Sequence, residues 1–116
     1  MAGAVNQTNA VELAAEVRRA KSLWARFWGL MGRRALPDGQ ALLLDPCSSV
    51  HTFFMRFPID VIFLDKDLRV VKIIPAMKPW RTALGGRGAR SALELSGGVA
   101  QASGLDVGDT LAFPEA

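Results

Sequence analysis

The stretch that most limits the fold is Asp60-Val61-Ile62-Phe63-Leu64, joined by the turn Asp65-Lys66-Asp67 to Leu68-Arg69-Val70-Val71-Lys72-Ile73-Ile74. Each apolar run is too short for a stable helix, is rich in β-branched residues and is bounded by turn formers, so the pair reads as a hairpin. With short links around it, a hairpin at the centre favours a mostly antiparallel sheet. With 116 residues and one cysteine there is room for a single domain, and neither a disulfide framework nor a cysteine-built zinc cage fits. Half of the residues are hydrophobic, with six Phe and three Trp, so a packed core rather than a disordered chain is expected.

Around the hairpin, Val11, Leu13, Ala15 and Val17 alternate with charged residues, a period of two that reads as a strand, with a helix as the competing reading. Leu23, Phe27 and Leu30, and likewise Trp24, Trp28 and Met31, fall at helical spacing, with Ser22 as N-cap and Gly32 as stop. A helix this apolar needs cover from the sheet or from a second copy of the chain, so homo-oligomerisation through the Trp24/Trp28 helix stays open. Ala41 to Leu44 reads as a buried strand. His51, Phe53, Met55 and Phe57 form one face of another, interrupted at Pro58. Residues 75 to 90, with two Pro, three Gly and no sustained period, read as a long surface loop. Strand returns at Arg90 to Leu95, a short helix spans Val99 to Ser103 and ends at Gly104, and Thr110 to Phe113 closes the chain as a strand. The expectation is an α+β, β-rich domain over residues 10–114 behind a disordered tail at 1–9. Its sheet would be mostly antiparallel and curled like a barrel, with two short helices.

No apolar run is long enough to span a membrane, and Met1 to Gln7 lacks the basic and apolar regions of a secretory signal, so a cytoplasmic protein without a membrane partner is expected. Charge is uneven: between Leu68 and Leu93 lie six bases (Arg69, Lys72, Lys78, Arg81, Arg87, Arg90) and no acid, and from Glu94 onward four acids and no base. This leaves room for an anionic ligand, although a formal charge of +3 also serves ordinary solubility.

Catalytic constellations are thin. Cys47 and His51 on one extended strand would stand ~13 Å apart at ~3.3 Å per residue, too far for a thiolate–imidazolium pair. A Ser-His-Asp set from Ser48 or Ser49 meets the same objection. One His, one Cys and scattered carboxylates make no closed metal site, so no metal and no cofactor is expected. Gly85-Gly86-Arg87-Gly88 is not followed by the Lys-Ser or Lys-Thr of a phosphate loop. Asp60 stands out, because a carboxylate between Ile59 and Val61 either faces a cleft or must be held by donors such as Arg56, Arg33 or backbone N–H groups. Trp80-Arg81, after Pro79, sets an indole and a guanidinium side by side, an arrangement able to stack on a sugar, a base or an aromatic ligand.

Gly29-Leu30-Met31-Gly32-Arg33, Met55-Arg56-Phe57-Pro58-Ile59-Asp60-Val61-Ile62-Phe63-Leu64-Asp65, Lys78-Pro79-Trp80-Arg81, Leu93-Glu94-Leu95-Ser96-Gly97-Gly98, Gly104-Leu105 and Gly108-Asp109 follow one another in this order. The series resembles the prokaryotic family catalogued as domain of unknown function 192, from about Val11 to Phe113. That resemblance implies a compact β-rich domain and makes the first segment a strand. It brings no reaction, substrate or cofactor, and although many relatives carry an export signal or lipid anchor, none is expected from Met1 to Gln7.

The leading expectation is a small-ligand-binding domain whose cleft gathers Arg33, His51, Phe53, Met55, Asp60, Trp80 and Arg81, few polar groups in an apolar wall. The alternatives are a hydrolase using Asp60 and His51 as acid and base, which leaves enzymatic activity open, and a nucleic-acid-binding module on the basic 69–90 stretch. The last is disfavoured because no RNA-binding signature is present.

Overall fold

The computed structural model describes residues 3–20, 39–52 and 57–114. The hairpin forms as expected: β6 (Ile59–Leu64) pairs antiparallel with β7 (Val70–Met77), closed by a turn in which Asp65 Oδ1 accepts the N–H groups of Asp67 and Arg69 at 2.8 and 3.0 Å. On its other side β6 pairs with β9 (Ser91–Ser96), which pairs with β4 (Gln40–Leu44), which pairs in parallel with β3 (Glu16–Ala20). The result is a five-stranded sheet in the order β3-β4-β9-β6-β7. The expected mostly antiparallel sheet holds, with β3 and β4 as the parallel pair among the described strands.

All six residues of β6 are buried because the sheet is covered on both faces, which explains why its sequence does not alternate. Ile62, Leu64, Leu43, Leu93 and Leu95 join Leu13, Val17, Ala100, Leu105 and Leu111 in one cluster. This face is covered by a three-stranded sheet, β10-β1-β2 (Leu111–Ala112, Ala4–Asn6, Val11–Ala14), and by α1 (Val99–Ala102). Ile59, Val61, Phe63, Leu42 and Leu44 face the other way onto Val50, Phe57 and Met77. There the cover includes a two-stranded ribbon of β5 (Ser49–His51) and β8 (Thr82–Leu84). Burial of these side chains contributes about 1.5 to 3 kcal/mol each before chain entropy is set against it.

Three expectations are corrected. Among the described residues there are three sheets, and they remain open: β3 and β7 end the five-stranded sheet without meeting, so it is not a barrel. The described residues hold one helix, α1, and the helix expected around Trp24 and Trp28 falls outside the described residues. Residues 4–6, expected in a disordered tail, form β1, with Ala4 and Asn6 fully buried and the Asn6 amide donating to Asp109 Oδ2 at 2.8 Å. Their polar neighbours are turn formers between β1 and β2: Thr8 N–H donates to Asn6 Oδ1 at 3.0 Å, and Val11 N–H to Asn9 Oδ1 at 3.0 Å. Finally, the expected loop at 75–90 contains the end of β7 and all of β8. Pro75 is compatible with strand because β7 is an edge, where its missing N–H interrupts no interior ladder. The first segment is strand, as the alternation and the resemblance indicate, but it breaks at Ala15, where the chain passes from β2 in one sheet to β3 in another.

Candidate ligand-binding groove

Asp60 is fully buried in β6. Between Ile59↔Met77 and Val61↔Ile74 the register shifts, so this one residue stands opposite two, Pro75 and Ala76, in a β-bulge. Ala76 takes a left-handed conformation (φ 45°) and donates its N–H to Asp60 Oδ1 at 2.7 Å. On the opposite side of the carboxylate, Gly98 N–H is shared between both oxygens at 3.2 and 3.1 Å, and Ala100 N–H reaches Oδ2 at 2.8 Å. Gly98 is the N-cap residue of α1 and has no side chain to cap with, so Asp60 supplies the missing acceptor from a distant strand. One carboxylate thus ties the β7 bulge to the start of α1 and satisfies three backbone donors. Having no exposed surface, it offers neither charge nor a lone pair to a molecule arriving from solvent.

The polar surface chemistry lies one layer out. Thr52, fully buried just after β5, organises the turn that follows β7. Its Oγ1–H donates to Lys78 O at 2.6 Å and its Oγ1 accepts Arg81 N–H at 2.9 Å. Its own N–H donates to Arg81 O at 2.8 Å, and its carbonyl accepts Trp80 N–H at 2.9 Å. Four bonds to one residue fix Lys78-Pro79-Trp80-Arg81 as a rigid turn. Trp80 is held there at φ 63°, a left-handed conformation that costs a bulky residue on the order of 1 to 3 kcal/mol, while 55 % of its surface stays exposed.

The Thr52 N–H to Arg81 O bond and the Gly85 N–H to Ser48 O bond, 2.8 Å each, bracket the β5–β8 ribbon. Because hydrogen-bonded positions alternate along an antiparallel pair, Thr82 and Leu84 direct their backbone groups away from β5. Accordingly, the Leu84 carbonyl accepts the Lys72 ammonium of β7 at 2.8 Å. Between the edges of β7 and β8 lies an open groove of about 550 Å³, lined by Lys72, Ile74, Met77, Lys78, Arg81, Thr82, Ala83 and Leu84. It has an apolar floor, three cations and no carboxylate among these residues.

Of the residues singled out in the sequence, Trp80 and Arg81 come together on this turn. His51 is held by strand pairing opposite Thr82. Asp60 stands apart as a structural carboxylate. Arg33, Phe53 and Met55 lie outside the described residues. Thr52, Lys72 and Lys78 escaped the list of candidates. Lys72 and Lys78 were visible in the acid-free basic run, whereas Thr52 gave no signal, because nothing local distinguishes a clamping threonine from any strand threonine. The Cys47 thiol donates to Ser49 O at 2.8 Å and lines a second hollow, about 640 Å³, with Ser48, Asp65, Lys66, Asp67 and Arg90 among its other walls. Among the described residues no group of three or more His, Cys, Asp or Glu could hold a metal ion. No helix among them is long and apolar enough to cross a membrane.

These features define a small β-rich domain with a basic groove between two sheet edges. The chain belongs to the domain of unknown function 192 family, described as an uncharacterised conserved family, whose model matches residues 4–113. An uncharacterised family 0127 protein of Pyrococcus furiosus is 38% identical over 112 residues, covering 92% of this chain and 94% of its own length. A crystal structure of a protein of unknown function from Novosphingobium aromaticivorans shares the fold, with a TM-score of 0.76, 21% identity, and coverage of 97% and 94% of the two chains. Another, from Sinorhizobium meliloti and provisionally named a transcription regulator, superposes with a TM-score of 0.73 at 25% identity, covering 84% and 80%.

Proposed function

We propose that this domain binds a small anionic molecule in the groove between β7 and β8. The observation that carries the reading is the lining: Lys72, Lys78 and Arg81 stand with the apolar Ile74, Met77 and Ala83, and no carboxylate is among the described residues that line the groove. A concave site with a few convergent charged groups on an apolar wall is the usual composition of a ligand pocket. Preorganisation supports it further, since Thr52 fixes the backbone at Lys78 and Arg81 before any ligand arrives and so lowers the entropy lost on binding.

This shifts the expected cleft outward from Asp60, whose carboxylate is spent on backbone donors; a hydrolytic role for Asp60 finds no support for the same reason. Nucleic-acid binding, which the name of the Sinorhizobium meliloti protein brings to mind, needs a longer basic track than three cations in one groove. The test is calorimetric titration of the wild type and of the Lys78→Ala/Arg81→Ala double variant with inorganic phosphate, ribose 5-phosphate and citrate at low salt. At least one anion should bind to the wild type, and the double variant should lose about tenfold or more, since hydrogen bonds to charged groups are worth ~1.5 to 3 kcal/mol. Binding unaffected by the double substitution, or no binding of any anion, would contradict the proposal. Steeply salt-dependent, submicromolar binding of single-stranded DNA would favour the nucleic-acid reading instead.

A further inference from the structure

The outward edge of β8 carries backbone groups that no other described strand takes up. Among the described strands β8 pairs with β5 alone, and that pairing leaves the N–H and C=O groups of Thr82 and Leu84 turned toward β7. The Leu84 carbonyl accepts the Lys72 ammonium, while Thr82 N–H, Thr82 C=O and Leu84 N–H find no partner among the described residues. Thr82 is exposed and Leu84 keeps 71 % of its surface in solvent, so this edge is open, and β7 across the groove is itself the last strand of its sheet. A row of unpaired N–H and C=O groups on an open edge is a template for one more strand. The lining determines the chemistry of that strand: Lys72, Lys78 and Arg81 call for acidic side chains, with no carboxylate among the described lining residues, and Ile74, Met77 and Ala83 call for apolar ones. We infer that the groove takes an extended acidic peptide, which adds as a strand to the outward edge of β8. The inference rests on the proposed anion groove and names what bears the anion. In this arrangement backbone pairing with Thr82 and Leu84 supplies affinity, carboxylate side chains meet the three cations, and apolar side chains pack with Ile74 and Met77. Lys72 exchanges the Leu84 carbonyl for a peptide carboxylate, which frees that carbonyl to accept a peptide N–H.

The probe is a peptide capped at both ends that alternates valine and glutamate, titrated calorimetrically into the wild type at low salt beside citrate. Two matched peptides carry N-methyl groups, one on its valines and the other on its glutamates, so that each loses the donors of one strand edge and keeps every carboxylate. At least one of the two should bind about tenfold or more weakly than the parent, as the loss of two backbone hydrogen bonds provides. A peptide with lysine in place of glutamate should also bind about tenfold or more weakly. Thr82→Pro removes an outward N–H without breaking a bond to β5. In a variant whose melt shows it to be folded, it should weaken the parent peptide about fivefold or more and leave citrate within about twofold. Should that variant not fold, the N-methylated peptides decide on the wild type. Equal binding of the parent and both N-methylated peptides, with citrate still bound, would overturn strand addition and leave the anion groove standing. Backbone-dependent binding that is indifferent to the sign of the peptide's charge would overturn the acidic partner. A dimer in sedimentation that Thr82→Pro abolishes would put a second copy of the chain on this edge and overturn the peptide. If neither the peptide nor citrate nor another small anion binds, both readings fall together.

Discussion

Asp60 shows how far one residue's position determines its use. A carboxylate inside an apolar strand must recover in hydrogen bonds what it loses in hydration, and here the donors are the N–H groups of Ala76, Gly98 and Ala100. Asp60→Asn removes one acceptor oxygen and puts an amide donor in its place, facing backbone donors. We expect the variant to lose about 3 kcal/mol, the cost of a buried N–H left unpaired plus a charge-assisted bond, and to melt roughly 10 °C lower. A thermal melt within about 2 °C of wild type would show that the carboxylate does not hold the bulge to α1. From the sequence, Asp60 was legible as exceptional but its role was not. The donors lie 16, 38 and 40 residues away, and only the fold brings them to one point.

At the scale of elements, legibility followed burial pattern and length. β6, the start of β7, β4, β9 and α1 were readable because long apolar runs end at turn formers or glycines. β1 was not, since three residues of ordinary polarity carry no period. β8 was hidden for the same reason and because it pairs with β5 across more than thirty residues of chain, counting from Val50 to Ala83. The pairing positions the ribbon over the second face of the central sheet, where Phe63 fills the space beneath Gly85. A Cβ at Gly85 would stand 2.6 Å from the Phe63 ring and 2.5 Å from the Ala89 Cβ, so only glycine lets the ribbon's end approach this closely. Phe63→Ala should therefore do more than lower hydrophobic burial, because it removes the surface on which the segment after β8 rests. A loss of ~3 to 5 kcal/mol is expected in chemical denaturation, from transfer and cavity together. A midpoint close to wild type would mean that the strand lies outside the core.

Across the whole molecule, the five-stranded sheet is covered on both faces, and the two coverings differ in character. The side of β1, β2, β10 and α1 is tied down by the buried side chains of Asn6 and Asp60, which bond Asp109 and the start of α1. The ribbon side leaves the edges of β7 and β8 facing each other across a basic groove with the Thr52-clamped turn at its end. The basic run was visible in the sequence, but its meaning depended on which cations converge. Lys72, Lys78 and Arg81 line the groove, while Arg90 belongs to the second hollow. Backbone amide resonances followed during titration with ribose 5-phosphate report whether the ligand enters this groove. Perturbations should concentrate at Lys72, Lys78 and Arg81 to Leu84. Perturbations centred instead on Pro46 to Ser48 and Gly88 to Arg90, or none at millimolar ligand, would contradict binding there.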